Sequence, residues 1–99
     1  MSGGLSGKQR RKLRALGHHL EVVVQVGQQG LTPGVVAAVE QALFDHELIK
    51  VRVPEGRERR DVAEQLARET GAEVAQVLGR TALLFKKREE DSKFEDLGA

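Results

Sequence analysis

The sequence predicts an α/β domain ordered α-β-α-β-α-β-β, built on a four-stranded mixed sheet. Three observations predict it. Apolar residues recur at helical spacing in three segments, two of which open on capping residues. Short β-branched or alternating runs follow these segments, as strands do. The last two runs are separated only by Gly79-Arg80, too little chain for a helix and the length of a hairpin turn. Each strand–helix–strand unit then implies a right-handed crossover between parallel strands, and the closing hairpin adds an antiparallel pair.

Taken in order, Met1 to Gly4 reads as a disordered leader. Ser6 followed by Gln9 is a capping box that opens the first helix, which should run to about His19 with Leu13, Leu16 and Leu20 on one stripe. Val22–Val26 is β-branched and reads as a strand. Thr32 and Pro33 are the cap and first residue of a second helix reaching about Asp45. Its Val35, Val36, Val39, Ala42 and Leu43 repeat at spacings of three and four, as a core-facing stripe requires. Leu48–Val53 alternates, with Ile49, Val51 and Val53 on one side and Leu48, Lys50 and Arg52 on the other. A third helix is expected from Arg57 to Thr70, with Val62, Leu66 and Ala67 inward and Gly71 as its C-terminal cap. Glu73–Leu78 and Thr81–Lys86 are the closing strands. The second and third helices should share one face of the sheet. The other face should carry Val23, Ala75, Val77, Ala82 and Leu84 beside Gln25, Lys50 and Arg52, with the first helix over its apolar part. Residues 5–88 form the folded unit, and residues 89–99 read as an acidic, disordered tail.

Ninety-nine residues suffice for one core, and 39% hydrophobic with 31% charged content is ordinary for a soluble chain. Without cysteine there is no disulfide framework and no thiolate site, which fits a cytoplasmic location. The apolar runs are too short to cross a bilayer, and no secretory signal is visible. The formal charge of +1 hides an asymmetry. Residues 1–88 hold 15 of the 16 Lys and Arg but 10 of the 15 Asp and Glu, so the folded part is basic and the tail acidic. A polyanionic partner would answer that imbalance.

Two places could receive one. Lys8, Arg10, Arg11, Lys12, Arg14 and His18 lie on the first helix, which carries no acid before Glu21. A solvated face usually mixes both signs, so this one favours a polyanion contact. Gly27-Gln28-Gln29-Gly30 joins the first strand to the Thr32 cap. Such a loop aims backbone N–H groups and the positive end of a helix dipole at one spot, suited to a phosphate. These residues alone equally fit a tight connection that binds nothing. No Trp or Tyr is present, and Phe44 and Phe85 fall within apolar patterns, so a base-stacking platform lacks its tools.

Catalytic and metal constellations are thin. His46-Glu47 begins like a zinc-protease motif, but position 50 is Lys rather than His. His18 and His19 are adjacent and diverge on a helix. His46 suits the C-terminus of the second helix. Gly27-x-x-Gly30 is neither a Walker loop nor a dinucleotide fingerprint. The serines and threonines carry no nucleophile signature. The residues argue against an enzyme, a cofactor or a metal.

Several of these segments, in this order, resemble the YhbY-like CRM domain (chloroplast RNA splicing and ribosome maturation). They are Leu5-Ser6-Gly7-Lys8-Gln9-Arg10, Leu13-Arg14, His18-x-Leu20, Val26-Gly27-x-x-Gly30-Leu31-Thr32, His46-Glu47-Leu48-Ile49-Lys50-Val51 and Gly79-Arg80-Thr81, spanning about Leu5 to Lys86. The resemblance implies a fold similar to the C-terminal domain of bacterial initiation factor three and an RNA-binding role. It further implies association with ribosomal RNA of large-subunit precursors during ribosome biogenesis. By the same resemblance, RNA contacts fall on Lys8, Arg10, Arg11, Lys12, Arg14 and His18, and on the GxxG loop with Gly27, Gln28, Gln29, Gly30 and Thr32. One departure is that Gln28 and Gln29 stand where the family often has a basic residue. Gly17 replaces a usual Ala, and Glu21 stands where Pro is common. The expected partner is RNA, with no membrane, no small-molecule substrate and a monomeric chain. The cationic helix and the glycine loop are expected to form one continuous surface. The alternative is a protein-interaction module recruited to ribosomes by a protein partner through the half-apolar sheet face.

Overall fold

A computed structural model describes residues 5–56, 58–94 and 97. The expected leader, residues 1–4, and the expected start of the third helix at Arg57 lie outside the described residues. The elements are α1 (Gly7–Gly17), β1 (Val22–Gln25), α2 (Pro33–His46), β2 (Leu48–Arg52), α3 (Arg59–Thr70), β3 (Glu73–Leu78) and β4 (Thr81–Phe85). The expected α/β order with a four-stranded mixed sheet is therefore present.

Local chemistry sets the helix ends. Ser6 Oγ accepts from Gln9 N at 3.1 Å while Ser6 N donates to Gln9 Oε1 at 2.9 Å, a closed capping box. Thr32 Oγ1 accepts from Val35 N at 3.1 Å, ahead of Pro33 at the first helical position. α1 ends at Gly17, two residues earlier than its periodicity suggests. α3 has no side-chain cap at Glu58 and ends on Gly71 at φ +76°.

The strand order is β1-β2-β4-β3. β1 and β2 run parallel, whereas β4 is antiparallel to both β2 and β3. β4 thus inserts between β2 and β3, and those two are parallel without touching. α2 and α3 cover one face, where Val39, Leu43, Ile49, Val51, Val53, Leu66 and Leu84 form the main core. α1 covers part of the other face, burying Leu13 against Leu48, Ala75, Leu83 and Phe85.

The face assignment expected for the hairpin is partly corrected. Ala82 and Leu84 belong to the α2/α3 core, and Val77 packs against it. β4 pairs Leu84 with Ile49 and Ala82 with Val51, and directly opposed residues share a face. Val77 follows because the β3 register shifts between Val74 and Gln76, a bulge that reverses alternation. Leu83 and Phe85 supply the α1 side instead. Leu16, expected on the apolar stripe of the first helix, and Phe44, which falls within an apolar pattern, are exposed by 48% and 67%.

The chain after residue 88 also departs from the expected tail. Residues 88–94 form a strap across the end of α2, held by the buried Glu47 carboxylate through Arg88, Ser92 and Lys93. Phe94 packs edge-on against Phe85 at 5.1 Å, and Leu97 adds to the same cluster. The acidic side chains of residues 89–91 are exposed, as a tail would have them. Anchorage comes from the apolar and backbone groups between and after them.

Candidate nucleic-acid interface

The glycine loop continues from β1. Val26 N donates to Arg52 O at 2.8 Å, one step beyond the assigned strand. The chain then turns, with Gly30 N donating to Gly27 O at 3.0 Å and Thr32 N to Gly30 O at 3.1 Å. Gly30 has φ +77°, where a Cβ is strained, whereas Gly27 has no such requirement. A Cβ built on either meets nothing within 4 Å, so both face open space. Gln28 and Gln29 are exposed, and Leu31 packs on the main core to fix the loop's base. At the mouth of α2, Pro33 has no N–H and the Thr32 hydroxyl takes that of Val35. Gly34 N–H is the remaining early donor of this helix, with no partner among the described residues.

On α1, Lys8, Arg10, Arg11, Lys12 and His18 are exposed and Arg14 is half-buried. Leu13 and Gly17 face inward, and a Cβ on Gly17 would stand 2.6 Å from a Leu83 methyl. That close approach seats the helix over the sheet. α1 packs on β2 and β3. Its Arg10 and Arg14 consequently line a groove of about 590 Å³ along β3, together with Arg60 and Arg68 of α3.

Two residues of the cationic helix therefore lie away from the loop, although the C-terminal end of that helix, at Leu16 with Leu20 just beyond it, shares a cleft with Val23 of β1. Arg10 and Arg14 sit at the β3 edge, while the loop leaves β1 at the opposite edge. Three strand spacings of about 4.8 Å separate those edges, roughly 14 Å across the sheet. Between them, Lys50 and Arg52 project from β2 on the side that α1 partly covers, and both are half-buried. Arg52 stands opposite Gln25, beside the base of the loop.

Four cations, then, join the geometry without having been singled out as site residues: Lys50, Arg52, Arg60 and Arg68. A signal existed for the first two. An interior strand usually has apolar residues on both sides, so charges on one side of β2 mark a face that is partly open. Arg60 and Arg68 sit on a helix of mixed charge and carry no such mark. Among the described residues no cluster of three or more His, Asp and Glu is placed to hold a metal ion, and no helix is long and apolar enough to cross a membrane.

Comparison with known proteins gives consistent matches. The family model described as the CRS1 / YhbY (CRM) domain matches residues 5–86. An RNA-binding protein of Haemophilus influenzae is 44% identical over 89 residues, covering 87% of this chain and 89% of that one. A protein of Bacillus subtilis named as a probable RNA-binding protein, YqeI, is 38% identical over 93 residues, covering 92% and 97%. One of Pseudomonas aeruginosa, named likewise, is 37% identical over 91 residues, covering 90% and 88%. The solution structure of a hypothetical protein from Staphylococcus aureus has the same fold, with TM-score 0.80 and 31% identity over 89% of this chain and 94% of that one.

Proposed function

We propose that this chain, which belongs to the CRS1 / YhbY (CRM) domain family, is a non-enzymatic RNA-binding protein of the cytoplasm that assists assembly of the large ribosomal subunit. The relatives named as RNA-binding proteins, matched over nearly their whole length, support the partner class. The observation that carries the reading is the Gly27–Gly30 turn, open on its outer side and adjoining the N-terminus of α2 and Arg52. A sugar-phosphate chain can approach that backbone closely, where bare N–H groups and the helix dipole oppose its charge. Gln28 and Gln29 add amide donors but no charge, so ion pairing falls to the surrounding Lys and Arg. Such contacts position RNA by its backbone and confer little base preference.

The test is the introduction of negative charge into the loop. Gln28→Glu with Gln29→Glu alters two exposed side chains and should leave the circular dichroism spectrum unchanged. Its affinity for large-subunit ribosomal RNA fragments should fall at least tenfold at low salt. Affinity equal to the unaltered protein, with folding intact, removes the loop from the site.

A second reading, recruitment through a protein partner, draws on Leu16 and Val23, 48% and 49% exposed beside a cleft of about 410 Å³. Association with ribosomes that survives complete RNA digestion would select it.

A further inference from the structure

We propose a second RNA-contact surface, separate from the glycine loop, in which Arg10 and Arg14 of α1 and Arg60 and Arg68 of α3 grip phosphates along the β3 edge. The proposal rests on the RNA-binding reading and extends it to the opposite side of the sheet.

Two helices from opposite faces of the sheet deliver these four side chains to one groove. Two acids, Glu64 and Glu73, line it as well. None of the four arginines uses either one: among the described residues their guanidinium groups have no ion pair or hydrogen bond. Gathering like charges that make no direct pair costs stability through mutual repulsion, which a bound anion would relieve. All four are arginines, whose planar fork matches phosphate oxygens in a bidentate way that an ammonium cannot.

An exposed sheet edge between basic residues could alternatively add an acidic peptide as a fifth strand. The β3 bulge between Val74 and Gln76 opposes this, because it breaks the regular row of backbone groups that a new strand must pair with. A phosphodiester chain needs no such register. The sheet width between this groove and the loop, roughly 14 Å, further favours an RNA that presents backbone at two places at once. A duplex or a folded junction does so at a fixed spacing, which a flexible single strand must be ordered to match.

The experiment compares Arg60→Gln with Arg68→Gln, together, against the loop variant Gln28→Glu with Gln29→Glu. Both Arg60 and Arg68 are exposed, and circular dichroism verifies the fold of each variant. Binding is measured across salt concentrations on a ribosomal RNA hairpin of about 16 base pairs and on a single-stranded oligonucleotide of the same composition. Loss of two phosphate contacts should make the slope of log K against log salt shallower by about 1.8 on the hairpin. Affinity at low salt should fall about tenfold or more, multiplying with the effect of the loop variant, and the oligonucleotide should respond less. Arg60→Lys with Arg68→Lys should keep the slope and lose part of the affinity.

An unchanged hairpin slope and affinity for the Arg→Gln pair, with the loop variant weakened, overturns the second surface and leaves the RNA-binding reading standing. If the unaltered protein binds neither RNA, the RNA-binding reading itself falls and this surface with it. Wild-type RNA binding by the Arg→Gln pair, with lost binding to a polyglutamate peptide, assigns the groove to protein.

Discussion

Replacing Glu47 by Gln should release the C-terminal strap. Glu47 is fully buried and adopts φ +67° with ψ −42°, a sparsely populated conformation that costs on the order of 1–3 kcal/mol. Its side chain repays that strain. Oε2 accepts from Arg88 N at 2.8 Å and from Ser92 Oγ at 2.6 Å, and Oε1 accepts from Lys93 N at 2.7 Å. Arg88 Nη2 lies 3.6 Å from Oε1. An amide can keep its oxygen toward Arg88 N and Ser92, which turns its NH₂ group toward the Lys93 N–H and the guanidinium. One charged-acceptor bond becomes a donor facing donors, and the ion pair is lost. Breaking a buried pair costs about 3–5 kcal/mol, and Arg88 retains its bond to Phe44 O at 2.7 Å, so the lower figure applies. At 1.36 kcal/mol per decade, hydrogen exchange at the Arg88 and Lys93 amides should accelerate by roughly two decades. Lys86 N, bonded to the backbone oxygen of Glu47, should change far less. Exchange at Arg88 and Lys93 that matches the unaltered protein would refute the reasoning. The pH dependence has a definite sign. Burial pushes the carboxyl up, but the bonds from Ser92, Arg88 and Lys93, with the guanidinium charge, outweigh it and hold the pKa below the ordinary glutamate value. A folded-state pKa lowered in this way contributes stability fully above the unfolded value of about 4.3, lost as pH falls through the folded one. The strap should therefore loosen in acid, and Glu47→Gln should lack that acid-dependent step.

Gly17→Ala, at the last position of α1, gains less than the roughly 1 kcal/mol of helix propensity of an interior site, yet places a Cβ 2.6 and 2.7 Å from the two Leu83 methyls. Overpacking costs about 1–3 kcal/mol, so chemical denaturation should show a net loss that Leu83→Ala reduces in the double variant. The two loop glycines should separate: Gly27→Ala meets open space and should leave the melting temperature unchanged. Gly30→Ala, at φ +77°, should cost roughly 1–2 kcal/mol and lower that temperature by several degrees.

The elements were legible because their boundaries are written in local chemistry. Ser6 with Gln9, Thr32 with Pro33, and Gly71 each act within a few residues, so the sequence shows them directly. Which way β4 faces was not legible. Ala82, Leu83, Leu84 and Phe85 are apolar at consecutive positions and carry no alternation, so only pairing with Ile49 and Val51 assigns their sides. The bulge at Val74 and Gln76 is likewise a property of two strands together. The role of Glu47 required three donors from 41 to 46 residues away, and no local pattern marks it. Phe94 and Leu97, apolar and three apart in a charged stretch, were the available hint that the strap is anchored.

The spacing of the two cationic elements follows from the same strand order. Had β3 paired directly with β2, the groove of Arg10 and Arg14 would stand one strand closer to the loop, by about 4.8 Å. β4 takes that place, and Leu83 at its centre fills the space beneath Gly17, which sets where α1 lies. The hairpin that closes the fold therefore also sets the distance between the loop and the arginines. Phe85 is buried against Phe94, so the surface between those edges offers the charges of Lys50 and Arg52 and the aliphatic Leu16 and Val23 rather than an aromatic stacking platform. A protein built this way discriminates by where phosphates fall in space. Changing the sequence of a bound duplex should matter little, whereas inserting a flexible bulge that alters the spacing of its two strands should matter a great deal.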